Sequence, residues 1–262
     1  MNSLLASKAC DITGVVGIAC ARHGCYAPNS LVDLFKGEQQ KNVDFAFLNA
    51  LKSTNVVPEQ GTLLIYDIAC QYFVHFWDRI GIHIPAGLQV EAAIGLFHVH
   101  AHKDECFFRY ASSFIPGAGV VAGEILESLW SSLNSISPTA RTATLAHRAE
   151  MLDDHATDSN HKKMLGIVST LCKGHQTATD MVESAELYYD NLSNQAGPMA
   201  VAKWKADIEA AEAQRRHDLA AMDIYRSNLD DHNSAESTPA ETIHASALDR
   251  WMSLALAVED KQ

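Results

Sequence analysis

The sequence lacks long hydrophobic runs, although 47% of its 262 residues are apolar. No uncharged stretch approaches the roughly 20 residues that a membrane-spanning helix needs. The first ten residues also lack the basic start and the long apolar segment of a secretory signal. We therefore expect no membrane association, an intracellular location, and one sizeable core with an appended element.

Positive charge is scarce as well. The chain has 20 lysines and arginines against 32 aspartates and glutamates, which gives a formal net charge of −12. Duplex binding depends on Lys and Arg side chains that neutralise phosphates. The basic residues here are scattered and form no stripe with aromatics, as a single-strand groove would require. If the chain acts on DNA, we expect another component to hold the DNA.

Several well-known chemical motifs are absent. The six cysteines are irregularly spaced, which predicts reduced thiols and no disulfide framework. The sequence contains no glycine-rich phosphate loop, no Gly-x-Ser-x-Gly elbow and no kinase motif. Serine hydrolases, nucleotide-binding proteins and kinases are therefore disfavoured.

The pattern of apolar residues changes once along the chain. From about residue 12 to 115, short apolar runs such as 15–19 and 94–97 alternate with helical patterns, which predicts an α/β fold. From about residue 120 nearly every segment has helical periodicity. Helices are predicted within 141–172, with an interruption near 153–158, and over 177–193 and 199–229. The predicted organisation is a core at 1–140, a helical extension at 141–229, and a linker with a terminal helix at 230–262.

Asp67 closes the apolar run Thr62–Tyr66, which has the length and composition of a buried strand. Residues 68–77 are predicted to form a helix directly afterwards. A carboxylate beside such a run must find water, hydrogen-bond donors, a metal ion or a proton. Asp67 is therefore a candidate metal ligand, and the alternative is an ordinary cap of the following helix.

Two glutamates lie on a later predicted helix. Apolar residues recur at helical spacing at Ile125, Leu126, Leu129, Trp130 and Leu133. Glu124 and Glu127 fall on the opposite stripe, in the first turns of a helix that should start near residues 120–123. The alternative to a catalytic role is that the helix dipole alone favours early acidic residues.

Two further groups could bind zinc. Cys20, His23 and Cys25 offer three soft ligands within six residues, and the alternative is a turn with packed, reduced cysteines. The second group is the run 98–106. If it is extended, its period of two places alternate residues on one face, among them His98 and His102. Histidines on one strand face bind zinc or iron, and the alternative is hydrogen-bonded histidines that carry protons near an acidic site.

Eight strings, in this order, closely resemble the Kyakuja-Dileera-Zisupton transposases of fungal genomes: Gly14–Cys25, Lys36–Asp44, Tyr66–Gln71, Phe97–His102, Gly117–Gly119, Gly123–Trp130, Leu152–His155 and Asp158–Lys163. The resemblance runs from about residue 9 to about residue 229. It implies a ribonuclease-H-like domain of the Asp-Asp-Glu type that cuts and joins DNA in the nucleus with two Mg²⁺ ions. It assigns Asp67 as the second acid and Glu127 as the third, with Glu124 as a close rival.

The sequence departs from the family pattern in two ways. The first catalytic aspartate belongs on an opening strand, yet only ten residues precede Asp11, and Asp11, Asp33 and Asp44 match other family positions. Ala122 also stands where the family often has aspartate. We therefore expect a truncated core that binds Mg²⁺ poorly and has little or no strand-transfer activity.

The missing first strand leaves alternatives open. An exposed sheet edge would favour a homo-oligomer or pairing with another chain, and such a chain, or upstream sequence, would complete the enzyme. The remaining alternatives are a histidine-metal hydrolase that uses zinc and a non-catalytic interaction module built on the helical half.

Overall fold

The computed structural model describes residues 11–226, which form an α/β structure with small sheets and extensive helix. The predicted α/β class is confirmed. The chain divides into two compact units, Met1–Lys173 and Gly174–Gln262. The predicted linker and terminal helix at 230–262 lie outside the described residues.

The strands are β1 (Gly14–Val16), β2 (Val32–Leu34), β3 (Thr62–Ile65) and β4 (Val90–Ala93). The helices are α1 (Gln40–Ser53), α2 (Ala69–Tyr72), α3 (Phe76–Ile80), α4 (Leu96–Val99), α5 (Asp104–Tyr110), α6 (Ile125–Leu133), α7 (Ser137–Ala140), α8 (Leu145–Ala196) and α9 (Pro198–Gln214). Short 3₁₀ turns include Phe73–His75 between α2 and α3, and Leu219–Tyr225 after α9.

The parallel pair of β3 and β4 organises the first unit, with Thr62 opposite Val90 and Ile65 opposite Ala93. The strand predicted before Asp67 is therefore present. The predicted helix over 68–77 forms as short consecutive pieces, α2, a 3₁₀ turn and α3. This connection buries Tyr72 and Phe76 against α1 and β3 and forms the main apolar core. The β3–α–β4 crossover places the ends of both strands at one edge of the pair.

A second small sheet pairs β1 with β2 in antiparallel fashion. The start of α8 packs on this region, because Arg148 forms an ion pair with Asp33 of β2 at 3.0 Å. Further along α8, the Asn160 side chain accepts a hydrogen bond from the Tyr26 N–H and donates one to the Tyr26 carbonyl. The amide of Asn160 thus satisfies both backbone groups of Tyr26, as a neighbouring strand would.

The helical half differs from the sequence prediction at three places. The separate helices predicted within 141–172 and over 177–193 form one helix, α8, from Leu145 to Ala196. The predicted interruption near 153–158 is wrong, since α8 continues unbroken through it. This stretch contains neither proline nor glycine, and an Asp158–Lys162 ion pair one turn apart supports the helix. The helix predicted over 199–229 ends at Gln214 instead, and a 3₁₀ turn capped by Asp218 follows.

Two other predictions have clear outcomes. The expected break at 194–198 is confirmed, because α8 ends at Ala196 and Gly197 has a φ of +83° that glycine adopts readily. The apolar run 94–97 is not a strand, since β4 ends at Ala93 and α4 starts at Leu96. None of the helices in the described part of the chain is long and apolar enough to cross a bilayer.

Candidate functional site

Asp67 lies just beyond the end of β3, where the Tyr66 N–H donates to the Ala93 carbonyl and continues the pairing with β4. Its side chain is 58% exposed. Side chains that follow parallel strands meet at the carboxyl edge of the sheet, where open α/β folds bind their ligands. Asp67 therefore opens onto the edge from which the segment after β4 also emerges.

His98 occupies that edge from the other strand. It lies on α4, which begins three residues after the end of β4. Its Nε2 atom is 3.6 Å from Oδ2 of Asp67, and its Nδ1 atom is 2.8 Å from Oε2 of Glu124. The His98 imidazole thus links the acid after β3 to the acid before α6.

Glu124 is the best-fixed acid of the group. It directly precedes α6, and its Oε1 atom accepts a hydrogen bond of 3.0 Å from the Phe97 N–H in α4. A Cβ atom on Gly95 would lie 2.9 Å from the Glu124 Cδ atom, which is closer than real contacts allow. Only glycine at position 95 therefore leaves room for this carboxylate.

Glu127 lies one turn into α6 and is exposed. One ligand atom from each of His98, Glu124 and Glu127 can be chosen so that all lie within 4.8 Å of one another. We call Asp67, His98, Glu124 and Glu127 the acid–histidine cluster. Carboxylate oxygens are the ligands that Mg²⁺ prefers, so the donors of this cluster fit a hard divalent cation.

The cluster is electrostatically coupled. Burial lowers the pKa of His98, but the charges of Asp67, Glu124 and Glu127 and the hydrogen bond with Glu124 outweigh burial and raise it. Burial also raises the pKa of Glu127, and the negative charges of Glu124 and Asp67 add to this effect. These acids therefore favour the protonated, cationic form of the His98 imidazole.

The raised pKa of His98 predicts a pH-dependent folding stability. Because the folded state holds this proton more tightly, the contribution is fully present below the ordinary pKa of 6.5 and is lost as the pH rises through the folded value. In chelator, chemical denaturation between about pH 5 and pH 9 should show this loss in the wild type but not in His98→Gln. The surface variant His75→Gln is the control. Identical pH profiles for wild type and His98→Gln would contradict the prediction.

A second group of possible ligands comes from residues close in sequence to Asp67 and His98. Cys70 of α2, His102 after α4 and Cys106 of α5 bring their ligand atoms within 4.8 Å of one another. Cys70 Sγ is 3.4 Å from His102 Nδ1. Burial, and then the neighbouring Cys70, raise the pKa of the Cys106 thiol. We call these three residues the thiol–imidazole cluster.

The run 98–106 is not extended, so the prediction of alternate residues on one face is wrong. It forms the end of α4, a turn and the start of α5. His98 joins the acid–histidine cluster and His102 the thiol–imidazole cluster, while the ring of His100 lies 5.2 Å from the ring of Phe107. The segment has helical spacing, and not a period of two, because α4 begins directly after Gly95. The Glu124 carboxylate accepts a hydrogen bond from the Phe97 N–H in the first turn of α4.

Cys20, His23 and Cys25 lie in a tight turn. The Cys20 N–H donates to the Cys25 carbonyl at 2.8 Å, and the Gly24 N–H donates to the Cys20 carbonyl at 2.7 Å. Cys20 Sγ lies 3.4 Å from His23 Nδ1. Within residues 11–226, these three side chains do not form a three-ligand group.

Sequence analysis did not single out Cys70 as a possible ligand. Cys70 lies 32 residues before His102, and this separation gives no local ligand spacing. Two features point to it in retrospect. His102 and Cys106 are four residues apart, and Cys70 lies in the first turn of the helix that follows the strand paired with β4. The β3–β4 pairing closes the distance between them.

Comparison with known proteins supports a specific family. A family model described as Kyakuja-Dileera-Zisupton transposase matches residues 2–160, which is more than half of the 262-residue chain. Both clusters fall inside the match, whereas residues 161–229 of the expected resemblance fall outside it. Neither the curated proteins nor the solved structures give a match.

Proposed function

Because the chain belongs to the Kyakuja-Dileera-Zisupton transposase family, we propose that the acid–histidine cluster is its divalent-metal site for DNA cleavage and strand transfer. The observation that carries the proposal is the pair of contacts made by His98, 3.6 Å to Asp67 and 2.8 Å to Glu124. They join acids that are 57 residues apart (124 − 67) at one edge of a parallel strand pair.

Each residue of the cluster has a distinct proposed role. The Glu124 and Glu127 carboxylates, whose ligand atoms lie within 4.8 Å of each other and of His98, would hold the ion. Asp67, which is 3.6 Å from His98, would complete the set. His98 holds a proton between the acids when no ion is bound and orients the Glu124 carboxylate. A bound ion would activate water or a 3′-hydroxyl and stabilise the leaving oxygen of the phosphodiester.

Glu124 is the stronger candidate for the third acid, in place of Glu127. The Phe97 N–H and the His98 ring already fix the Glu124 carboxylate. A ligand that is held in place loses less side-chain entropy on binding than an exposed, rotating glutamate does.

A ribonuclease-H-like arrangement of the core is part of the same proposal. Such a core needs acids at the carboxyl ends of its strands, and Asp67 directly follows β3 in this way. The segment after β4 contributes His98, which contacts Asp67 at 3.6 Å. The isolated parallel bridge between Ile94 and Ala111 extends the paired region beyond β4. A histidine-metal hydrolase is less well supported, since His98 and His102 belong to different clusters.

We expect metal binding and catalysis by this chain alone to be weak. Asp67 and Glu127 are both exposed, and Mg²⁺ keeps its waters unless the ligand geometry is nearly complete. The net charge of −12 also opposes DNA binding. We propose that another component holds the DNA, in the nucleus, when such a core acts.

Binding of Mn²⁺ tests the proposal, since Mn²⁺ accepts the same oxygen ligands as Mg²⁺ and is detected by electron paramagnetic resonance. We expect weak, saturable binding to the full chain, with a Kd in the millimolar range. Asp67→Asn should abolish it, whereas Asp78→Asn, a change of an exposed acid on α3, should not. Any Mn²⁺-dependent nicking of supercoiled DNA should likewise be lost in Asp67→Asn and kept in Asp78→Asn.

Two outcomes would contradict the proposal. One is the absence of saturable Mn²⁺ binding in the wild type. The other is that Asp67→Asn retains either the binding or the nicking, which would remove Asp67 from the metal site.

A further inference from the structure

We propose that Cys70, His102 and Cys106 form a zinc site that is separate from the acid–histidine cluster. Two thiolates and one imidazole are soft or intermediate donors, which select Zn²⁺ over Mg²⁺. The acid–histidine cluster has the opposite chemistry, with carboxylate oxygens in the majority. The two clusters would therefore take different ions.

The distances between donors fit a single zinc ion. Zinc bonds of about 2.3 Å to sulfur and about 2.0 Å to nitrogen, at a tetrahedral angle, place the two donor atoms roughly 3.5 Å apart. Cys70 Sγ and His102 Nδ1 are 3.4 Å apart. Since the Cys106 donor lies within 4.8 Å of both, small side-chain rotations complete the set.

The surroundings of the cluster suit an ion with three protein ligands. Cys106 is buried, whereas Cys70 and His102 are partly exposed, so that one side of the cluster faces solvent. Among the residues that the structure describes, no fourth histidine, cysteine or carboxylate joins this group. We assign the fourth position to water.

The position of this site gives the zinc ion a role in organising the first unit. Cys70 lies in α2, three residues after Asp67, and His102 lies four residues after His98. A zinc ion bound by Cys70, His102 and Cys106 would therefore join the segment that carries Asp67 to the segment that carries His98. His102 and Cys70 are thus positioning residues for the acid–histidine cluster. The direct effect of replacing either residue is measured as the zinc content of the protein.

Metal analysis of the wild-type full chain is the first test. After purification in zinc-containing medium, we expect about one zinc per chain. X-ray absorption at the zinc edge should show two sulfur neighbours at about 2.3 Å and lighter neighbours at about 2.0 Å. Cobalt-exchanged protein should show a sulfur-to-cobalt charge-transfer band. A wild-type protein without stoichiometric zinc, or with zinc that has no sulfur neighbours, would overturn the proposal.

Matched substitutions locate the ion. Cys70→Ser, Cys106→Ser and His102→Asn should each weaken zinc binding by about 100-fold or more. Cys25→Ser, Cys172→Ser and His100→Asn replace the same residue types elsewhere in the first unit and should keep the zinc. If Cys20→Ser or Cys25→Ser lost zinc and Cys70→Ser kept it, the ion would lie in the turn that holds Cys20 and Cys25. That result would overturn the proposal.

Zinc content and Mn²⁺ binding separate this site from the proposed transposase site. Asp67→Asn should lose Mn²⁺ and keep zinc, because Asp67 is not a ligand of the thiol–imidazole cluster. If the chain binds zinc but not Mn²⁺, the result would support the zinc site. It would count only against the proposed transposase metal site. Zinc lost in Asp67→Asn would show that the ion depends on the carboxylates and would overturn the separate site.

Discussion

Glu124→Gln is expected to weaken Mn²⁺ binding by about 30-fold, which corresponds to about 2 kcal/mol, a typical size for a lost charged contact. The Glu124 carboxylate is fixed before any ion binds, by the Phe97 N–H at 3.0 Å and by His98 at 2.8 Å. Glu127→Gln should cost less than about 5-fold, since Glu127 is exposed and must be ordered on binding. Titration of each variant by electron paramagnetic resonance measures the difference.

Gly95→Ala provides an independent test, because it leaves every charge of the cluster in place. The new Cβ atom would press on the end of the Glu124 side chain, which would have to move. We expect weaker Mn²⁺ binding and a lower pKa of His98 in an NMR titration. The charge of Asp67 would still raise this pKa, but the hydrogen bond with Glu124, which also raises it, would lengthen. Equal effects of Glu124→Gln and Glu127→Gln, together with a neutral Gly95→Ala, would refute the preference for Glu124.

Asp67 and Glu124, which both contact His98, were singled out from local patterns. The apolar run Thr62–Tyr66 predicts where β3 ends. The predicted start of α6 near residues 120–123 is wrong, because α6 begins at Ile125 and Glu124 directly precedes it. A family resemblance then implied that the ends of these elements meet. No local pattern implied that His98 would stand between them, since the contact depends on the β3–β4 pairing.

Two of the three errors in the prediction have the same physical origin. Alternation in the run 98–106 is compatible with a strand, yet the Glu124 carboxylate, which is distant in sequence, accepts from α4 and favours the helical turn. The acidic stretch 153–158 similarly suggests a break, yet α8 stays helical there and pairs Asp158 with Lys162. Cys70 joins His102 only after the crossover from β3 to β4 has formed. In the first and third cases tertiary contacts decide what the local sequence leaves open, whereas in α8 the supporting pair is local.

Arg79→Met is expected to be the most destabilising of the substitutions considered. The Asp44 side chain is only 9% exposed, and it accepts hydrogen bonds from Arg79 at 2.9 and 3.1 Å and from the Tyr72 hydroxyl at 2.6 Å. Removal of the guanidinium leaves a buried carboxylate without its counter-charge, which typically costs about 3–5 kcal/mol. For a chain of this size the melting temperature should fall by about 10 °C.

Lys162→Met is the matched control, because it also removes the basic partner of an aspartate, in a pair where both side chains are largely exposed. It should leave the melting temperature almost unchanged, since solvent screens such pairs. Asp44→Leu combined with Arg79→Met should recover more than half of the loss, because no unpaired charge then remains buried. If Arg79→Met were no more destabilising than Lys162→Met, the Asp44–Arg79 pair would contribute nothing to the core around Tyr72. The burial of the Asp44–Arg79 pair would then not explain why α3 packs against α1.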